Sequence, residues 1–219
     1  KEIDFNKIGN SFSPIKELRL NNNQILVIDA SINQFSNLSI LKLNNNRIAK
    51  IAPEVKLKNL ELLDLHNNRL LHIPAFVKEA KWLRFLNLNA NQLSEFDYPK
   101  SLKHLISLNI GDNPFQRINI PTGLNKLETI ILDWVDLQKV SLNQLPEKVR
   151  VLSMEHCNLD EMPRAVSKLG QLKELSIIHN NISTIPTAFK KMKRLKKVWV
   201  YNNPIEKSSL NSFLFEVIW

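Results

Sequence analysis

One spacing constrains the fold of this chain more than any other feature: an apolar residue recurs every 22 or 23 residues over most of its length. These positions are Ile15, Leu38, Leu60, Leu83, Leu105, Leu127, Val149, Leu172 and Leu195. The clearest unit is residues 60–73, LELLDLHNNRLLHI, in which Leu63 and Leu65 lie two apart and so share one side of an extended strand. A unit that recurs nine times in phase predicts a solenoid of stacked coils.

A second repeated position follows each predicted strand and holds asparagine in seven of the nine units. Its occupants are Asn23, Asn46, Asn68, Asn91, Asn113, Val135, Cys157, Asn180 and Asn203. A short side-chain amide can pair backbone groups that a tight turn would otherwise bury without partners. We therefore expect altered turns at Val135 and Cys157. Cys157 is interpreted as a small buried turn residue, and as the only cysteine it has no disulfide partner within one chain.

The order L-x-x-L-x-L-x-x-N, with the step Ile73-Pro74 or Ile185-Pro186 after the turn, resembles bacterial leucine-rich-repeat proteins with 22–23-residue repeats. The resemblance implies an α/β fold: a curved right-handed coil with a parallel concave β-sheet and short helices or 3₁₀ turns on the convex side. It also implies a non-enzymatic scaffold that holds a protein partner on the concave sheet. Such proteins are commonly secreted or at the cell surface.

The repeats divide the chain into three parts. We expect an N-terminal cap at residues 1–14, nine leucine-rich repeats at 15–205 and a C-terminal capping helix at 206–219, because the ends of a solenoid must be covered. The helix would carry an apolar stripe of Leu210, Phe213, Leu214, Val217 and Ile218. The alternative is that this stripe binds a partner.

Location is predicted from the resemblance and from what the chain lacks. Residues 1–219 contain no apolar run of membrane-spanning length and no charged-then-apolar leader, and a start at Lys1 is compatible either with a removed leader or with a trimmed chain. We expect a bacterial protein that is secreted or at the cell surface, with a cytoplasmic location as the alternative.

Motifs for catalysis are missing from the sequence. The four glycines are scattered, which excludes a glycine-rich phosphate loop, and Ser153, His156 and Asp133 lack the enclosure that a hydrolytic triad needs. We predict no enzymatic activity, no cofactor and no small-molecule substrate. His156 and His179 fall at the same repeat position beside Glu155 and Asp133, which raises a divalent-metal site, but two solvated histidines are the favoured interpretation.

The formal net charge is +9, from 30 Lys and Arg against 21 Asp and Glu. Much of the excess lies near the C-terminus, in Lys190, Lys191, Lys193, Arg194, Lys196, Lys197 and Lys207. A solvated face is the favoured interpretation, and nucleic acid is disfavoured because no stacking aromatics line these positions. The alternative function is an adhesin-like protein that binds an acidic polymer, glycan or surface through this basic region.

The partner site is predicted where the repeat directs apolar side chains to solvent. The candidates on the concave face are Ile40, Leu62, Phe85, Ile131, Trp134, Val151, Ile178, Trp199 and Tyr201. Exposed Trp and Tyr have the composition of interface anchors. We expect Trp199, Tyr201 and Ile178 to be the energetic centre and Phe85 a second anchor, with cover by the C-terminal helix as the alternative.

Overall fold

Residue 5 and residues 15–219 are described by the computed structural model. The predicted N-terminal cap, residues 1–14, lies outside the described residues except for Phe5. The Phe5 side chain is fully buried and meets the Phe35 ring edge to face, with ring centroids 6.0 Å apart. Its carbonyl oxygen accepts a hydrogen bond from Gln34 Nε2 at 2.7 Å. Phe5 therefore packs against the first coil.

Fourteen short strands lie within the described residues. They are β1 (Glu17–Arg19), β2 (Val27–Ile28), β3 (Ile40–Lys42), β4 (Lys50–Ile51), β5 (Leu62–Asp64), β6 (Phe85–Asn87), β7 (Glu95–Asp97), β8 (Ser107–Asn109), β9 (Arg117–Asn119), β10 (Thr129–Ile131), β11 (Val151–Ser153), β12 (Glu174–Ser176), β13 (Lys197–Trp199) and β14 (Glu216–Ile218). Ten of them form one parallel sheet in the order β1-β3-β5-β6-β8-β10-β11-β12-β13-β14. The pairs β2-β4 and β7-β9 form two small parallel sheets in the returning segments of neighbouring coils.

Helical structure is confined to short 3₁₀ segments. Over residues 15–219 these are Ala30–Gln34, Ala75–Glu79, Val166–Lys168, Thr187–Lys191 and Lys207–Leu210. Pro74 and Pro186 directly precede two of them, and the carbonyl of Pro163 accepts from Val166 N at 3.0 Å. Proline suits the start of a helical turn because its fixed φ fits and its missing N–H would have no partner there.

The core follows the predicted leucine positions. The middle residue of each central strand is buried, as Leu63, Leu86 and Leu175 show, whereas its two neighbours on the strand face the concave side. The register keeps equivalent residues side by side, for example Leu41 beside Leu63 and Leu63 beside Leu86. Each coil therefore buries its apolar row against the rows before and after it.

The repeated asparagine pairs backbone groups as predicted. Asn68 Nδ2 donates to the carbonyls of Leu43 and Leu65, both at 3.0 Å, and its Oδ1 accepts from Ile48 N at 2.9 Å. Asn46, Asn91 and Asn113 are buried in the same arrangement. One side chain thus connects the turn of its own coil to the coil before it.

The two departures from asparagine leave most of the backbone unchanged. The residue before this position is left-handed in every coil, including Trp134 (φ 63°) before Val135 and His156 (φ 53°) before Cys157. The turn at Val135 is nevertheless altered, as predicted. Val135 N donates to Leu132 O of its own coil at 3.1 Å, whereas the equivalent Asn68 N donates to Ala90 O of the next coil. After Cys157 a second left-handed residue, Asn158 (φ 56°), sets that turn apart as well.

The Cys157 side chain takes over part of the amide's role. The buried thiol lies 3.2 Å from the carbonyl of Leu132, to which it can donate a hydrogen bond. Burial raises the pKa of the Cys157 thiol to about 12, so the group keeps its proton at neutral pH. The prediction of a buried turn residue is confirmed.

The predicted capping helix at residues 206–219 is wrong. The segment makes one 3₁₀ helix, Lys207–Leu210, and then forms the strand β14 beside β13. The free edge of β13 offers unpaired backbone groups, and β14 pairs with them: Glu216 N donates to Lys196 O at 2.8 Å and Val200 N to Ile218 O at 2.9 Å. The adjacent β-branched residues Val217 and Ile218 also favour a strand. The concave sheet therefore gains a tenth strand.

Candidate functional site

Four side-chain columns form the concave surface, and strand register fixes each of them. In the coil of β5 the four members are Leu62, Asp64, His66 and Asn67. Equivalent residues of neighbouring coils lie beside these, about 4.8 Å away in a parallel sheet. The surface is therefore described by rows that run across the strands.

The predicted N-terminal stripe forms in the first column. Ile40, Leu62 and Phe85 are direct neighbours on β3, β5 and β6. Phe85 is 41% exposed, and the Arg84 guanidinium lies 5.8 Å from its ring centroid. A depression of about 280 Å³ continues from Leu62 and Phe85 to Ile131. The stripe therefore reaches the middle of the sheet.

The predicted C-terminal cluster is divided among columns. Ile131 and Trp199 occupy the second column with Ser153 and Ser176 between them, while Val151 is in the first column beside Glu174. Trp199 is half-buried and has Ile218 of β14 as its other neighbour. Cover from the C-terminal segment was the alternative interpretation, and a strand rather than a helix provides it. Trp199 is thus less accessible than predicted.

A row of neighbouring rings at the carboxyl ends of the strands was missed by the sequence interpretation. Three of the rings are in the fourth column, and the last, Tyr201, is in the third column beside it. Trp134 stacks on His156 with centroids 3.8 Å apart and planes 8° apart, and His156 stacks on His179 at 4.1 Å and 17°. Tyr201 completes the row edge to face with His179, at 5.7 Å and 90°. We name these four residues the aromatic ladder. Trp134 is 60% exposed and Tyr201 53% exposed, so the ladder presents a large ring surface to solvent.

The backbone explains why these rings meet. Trp134, His156 and His179 are all left-handed, and each begins the turn at the carboxyl end of its strand. Backbone hydrogen bonds between coils hold successive turns together, for example from Trp134 N to Glu155 O at 2.8 Å and from His156 N to Ile178 O at 3.0 Å. In the first coils the same position holds Asn22, Asn45 and Asn67, whose amides form their own hydrogen-bonded row. The signal available in the sequence was three rings at one repeat position in consecutive units.

Carboxylates line the third column beside the ladder. Asp133 Oδ1 accepts hydrogen bonds from Ser153 Oγ at 2.6 Å and Glu155 N at 2.9 Å. Glu155 Oε1 accepts from Ser176 Oγ at 2.6 Å. Within the described part of the chain, neither carboxylate forms an ion pair with Lys or Arg. The ladder is therefore flanked by negative charge that no basic side chain neutralises.

The metal and hydrolase alternatives do not fit this geometry. Because the rings of His156 and His179 stack nearly parallel, their nitrogen lone pairs lie side by side and do not converge on one ion. Asn202 Nδ2 also lies 2.9 Å from His179 Nδ1 and occupies that nitrogen. No group of three or more His, Cys, Asp or Glu residues suited to a metal occurs within residues 15–219. Ser153 donates to the Asp133 carboxylate and not to a histidine, so the serine–histidine pair of a hydrolytic triad is not formed here.

The basic region is solvated as predicted. The seven cations from Lys190 to Lys207 are exposed, and none of them forms an ion pair in the described part of the chain. Lys190 Nζ lies 5.8 Å from the Phe213 ring centroid and Lys207 Nζ 5.0 Å from that of Trp219. Positive charge and exposed aromatic surface thus occur together at the C-terminal end.

The architecture and its concave face define a class, a leucine-rich-repeat solenoid, and comparison with known proteins agrees. The family model for Leucine Rich Repeat matches residues 59–78 and 171–192. A leucine-rich-repeat protein of Leptospira interrogans is 27% identical with a TM-score of 0.76, over 93% of this chain and 54% of that chain. An internalin of Listeria monocytogenes is 22% identical with a TM-score of 0.75, over 94% of this chain and 61% of that chain.

A plant structure extends the similarity of fold. The ectodomain of the Arabidopsis thaliana receptor kinase GASSHO1/SCHENGEN3, in complex with CASPARIAN STRIP INTEGRITY FACTOR 2, is 22% identical with a TM-score of 0.56, over 94% of this chain and 33% of that chain. Curated protein sequences give no match.

The predicted fold class and resemblance are confirmed: the chain is a leucine-rich-repeat solenoid that resembles bacterial leucine-rich-repeat proteins. It spans 54% and 61% of the lengths of the two bacterial structures. Leucine-rich-repeat proteins are typically non-enzymatic, and their fold commonly mediates protein–protein recognition. Over residues 15–219, no helix is long and apolar enough to cross a membrane.

Proposed function

We propose that this protein is a non-enzymatic recognition scaffold that binds a protein partner on its concave face. The observation that carries the proposal is the aromatic ladder, which leaves Trp134 and Tyr201 more than half exposed beside the hydrogen-bonded carboxylates of Asp133 and Glu155. Large rings left in water are costly unless a partner covers them, and Trp and Tyr are frequent energetic anchors of interfaces.

The remaining predicted residues extend this surface. The stripe of Ile40, Leu62 and Phe85 continues through the depression to Ile131 and so approaches the ladder. Ile178 is in the third column beside the ladder, Trp199 is in the second column and Val151 is in the first. We propose that the partner spans both parts, with Trp134 and Tyr201 as the first anchor and Phe85 as the second.

Known structures support a recognition role in general terms. The Arabidopsis ectodomain, which shares this fold, was solved in complex with CASPARIAN STRIP INTEGRITY FACTOR 2. The similarity to Leptospira and Listeria proteins supports a bacterial protein that is secreted or at the cell surface. Fractionation of the source cells followed by immunoblotting would test that location.

The function is tested by capture of partners from an extract of the source organism on immobilised protein. We expect a protein that wild type retains and that Trp134→Ala/Tyr201→Ala releases, with binding weakened by about 2 kcal/mol or more. Trp82→Ala is the matched control, because Trp82 is equally exposed but lies away from the concave columns. Equal capture by wild type and the folded double variant would contradict the proposed site.

A second candidate function uses the basic C-terminal region, where Lys190 and Lys207 adjoin the rings of Phe213 and Trp219. This region would bind an acidic polymer, glycan or surface. Salt separates the two functions, because binding through many surface charges weakens steeply as salt rises. Binding centred on the ladder would change far less.

A further inference from the structure

A second surface lies at the opposite, amino-terminal ends of the strands. It is an open groove of about 620 Å³ that crosses the coils of β1, β3, β5, β6, β8 and β10. Its lining consists of Lys16, Asn37, Ser39, Asn59, Glu61, Trp82, Arg84, His104, Ile106 and Lys126. None of the nine predicted partner-binding residues lies in it. Its volume is within the range of small-molecule sites.

An exposed aromatic ring forms the floor of this groove. Trp82 stacks against His104 with ring centroids 5.1 Å apart and planes 29° apart. The His104 ring is held in turn, because its Nδ1 donates to the carbonyl of Lys81 at 3.0 Å. Despite this contact Trp82 remains 57% exposed. The ring is thus supported on one side and available to a ligand.

Positive charge surrounds the ring. Arg84, Lys16 and Lys126 line the groove, and Glu61 is the only acid among the described residues that does so. Arg84 Nη1 lies 3.8 Å from Glu61 Oε2, a loose ion pair between exposed side chains that is weak in water. The two lysines form no ion pair in the described part of the chain. The groove therefore carries an excess of positive charge, with Lys16 and Lys126 towards its two ends and Arg84 between them.

Neutral hydrogen-bond donors and acceptors complete the lining of the groove. Asn59 Nδ2 donates to the carbonyl of Ser36 at 2.8 Å, which fixes the amide and leaves its oxygen as an acceptor. Asn37 is exposed and provides both a donor and an acceptor. Such a mixture suits hydroxyl groups, since each hydroxyl both donates and accepts.

Three backbone donors beside Arg84 are already used. Glu61 N donates to Ser39 O, Arg84 N to Glu61 O and Ile106 N to Arg84 O, each at 2.8 Å. An anion bound beside Arg84 would therefore be held mainly by side chains. The planar fork of the Arg84 guanidinium matches the two oxygens of a carboxylate.

From these contacts we propose that the groove binds an acidic saccharide, a sugar that carries a carboxylate. The slightly positive C–H face of a pyranose ring would stack on the negative face of the Trp82 ring. Arg84 and Lys126 would bind the carboxylate, and Asn37, Asn59 and Glu61 would bind hydroxyls. The site is separate from the aromatic ladder, which lies at the carboxyl ends of later strands, but Arg84 also adjoins Phe85, the second anchor of the proposed protein site.

The proposal is tested by titrating the full chain with two matched pairs of sugars. Binding is measured by tryptophan fluorescence and by isothermal titration calorimetry. The pairs are sialyllactose with lactose, and trigalacturonate with its methyl ester. We expect at least one acidic sugar to bind, and to bind at least tenfold more tightly than its neutral match. Trp82→Ala and Arg84→Gln should each weaken binding about tenfold, whereas Trp82→Phe should retain most of it.

Controls keep the outcome specific to the groove. Trp134→Ala should bind the acidic sugar as wild type does, because the ladder is not involved. The proposal is overturned if no acidic sugar binds at about 10 mM, a concentration that would reveal even a millimolar site. It is also overturned if neutral sugars bind equally, if binding is unaffected in folded Trp82→Ala, or if a poly-glutamate peptide binds in the groove and the sugars do not.

Discussion

Asp133 combines a structural and a surface role in one side chain. It accepts hydrogen bonds from Ser153 and from the backbone of Glu155, and it contributes negative charge beside the aromatic ladder. Burial raises the pKa of the Asp133 carboxyl above its ordinary value, and the two hydrogen bonds oppose this change only in part. The folded protein therefore binds this proton more tightly than the unfolded chain does.

The direction of the Asp133 pKa predicts a pH dependence of stability. Between about 4 and the raised pKa the folded state holds more protons, so the contribution of Asp133 to the free energy of unfolding falls as pH rises. Asp133→Asn keeps an oxygen acceptor and should remove this fall, so that its stability relative to wild type increases with pH. Denaturant titrations from pH 4 to 7 measure the difference.

Asp112→Asn is the control for this experiment, because it changes an exposed carboxylate of the preceding coil. Parallel stability curves for wild type and Asp133→Asn across the whole pH range would show that burial of Asp133 does not cost stability.

The turn after each strand is the element that joins coils. In six coils its asparagine connects three carbonyls and a backbone N–H from two neighbouring coils, as Asn68 shows with Leu43, Leu65, His66 and Ile48. Where asparagine is missing, the thiol of Cys157 reaches one carbonyl and Val135 supplies only apolar packing. The left-handed residue before it persists in either case.

Asn68→Ala should lower the free energy of unfolding by about 1–3 kcal/mol, because it leaves buried backbone groups of two coils without partners. Chemical denaturation followed by circular dichroism measures the loss. Arg69→Ala, at the exposed neighbouring position, should have little effect. If both variants are as stable as wild type, water replaces the amide and the turn does not depend on it.

For the whole molecule, stability should come from contacts between adjacent coils. Leu63 and Leu175 are both fully buried and lie five strands apart in the sheet, about 24 Å at about 4.8 Å per strand. Each of Leu63→Ala and Leu175→Ala should destabilise by about 2–5 kcal/mol through the cavity it leaves.

The double variant Leu63→Ala/Leu175→Ala tests whether the coils unfold as one unit. If they do, the two losses should add to within about 0.5 kcal/mol in equilibrium unfolding, because the sites share no neighbours. A separate transition for each half of the chain would instead show that the solenoid unfolds in parts.

The sequence predicted the repeating features well because they depend on local spacing. Leu63 and Leu175 had to be buried once the period was established, and the row of Ile40, Leu62 and Phe85 followed from strand register. The ladder was missed because ring stacking depends on side-chain conformations across coils, which no single repeat encodes. Trp82 was missed because it precedes the strand, where the repeat assigns no role. The strand β14 was missed because its partner β13 decides its conformation.

The residue that starts each turn is left-handed whatever its side chain, also where Val135 or Cys157 replaces the turn asparagine. A non-glycine residue in this conformation costs about 1 kcal/mol or more, yet Asn67, Ala90, Asp112, Trp134 and His156 all adopt it with nearly the same φ. The coil therefore imposes its geometry on whatever side chain is placed there. A protein engineer could exchange the residues of this row for others, and so change what the molecule recognises, without rebuilding its interior.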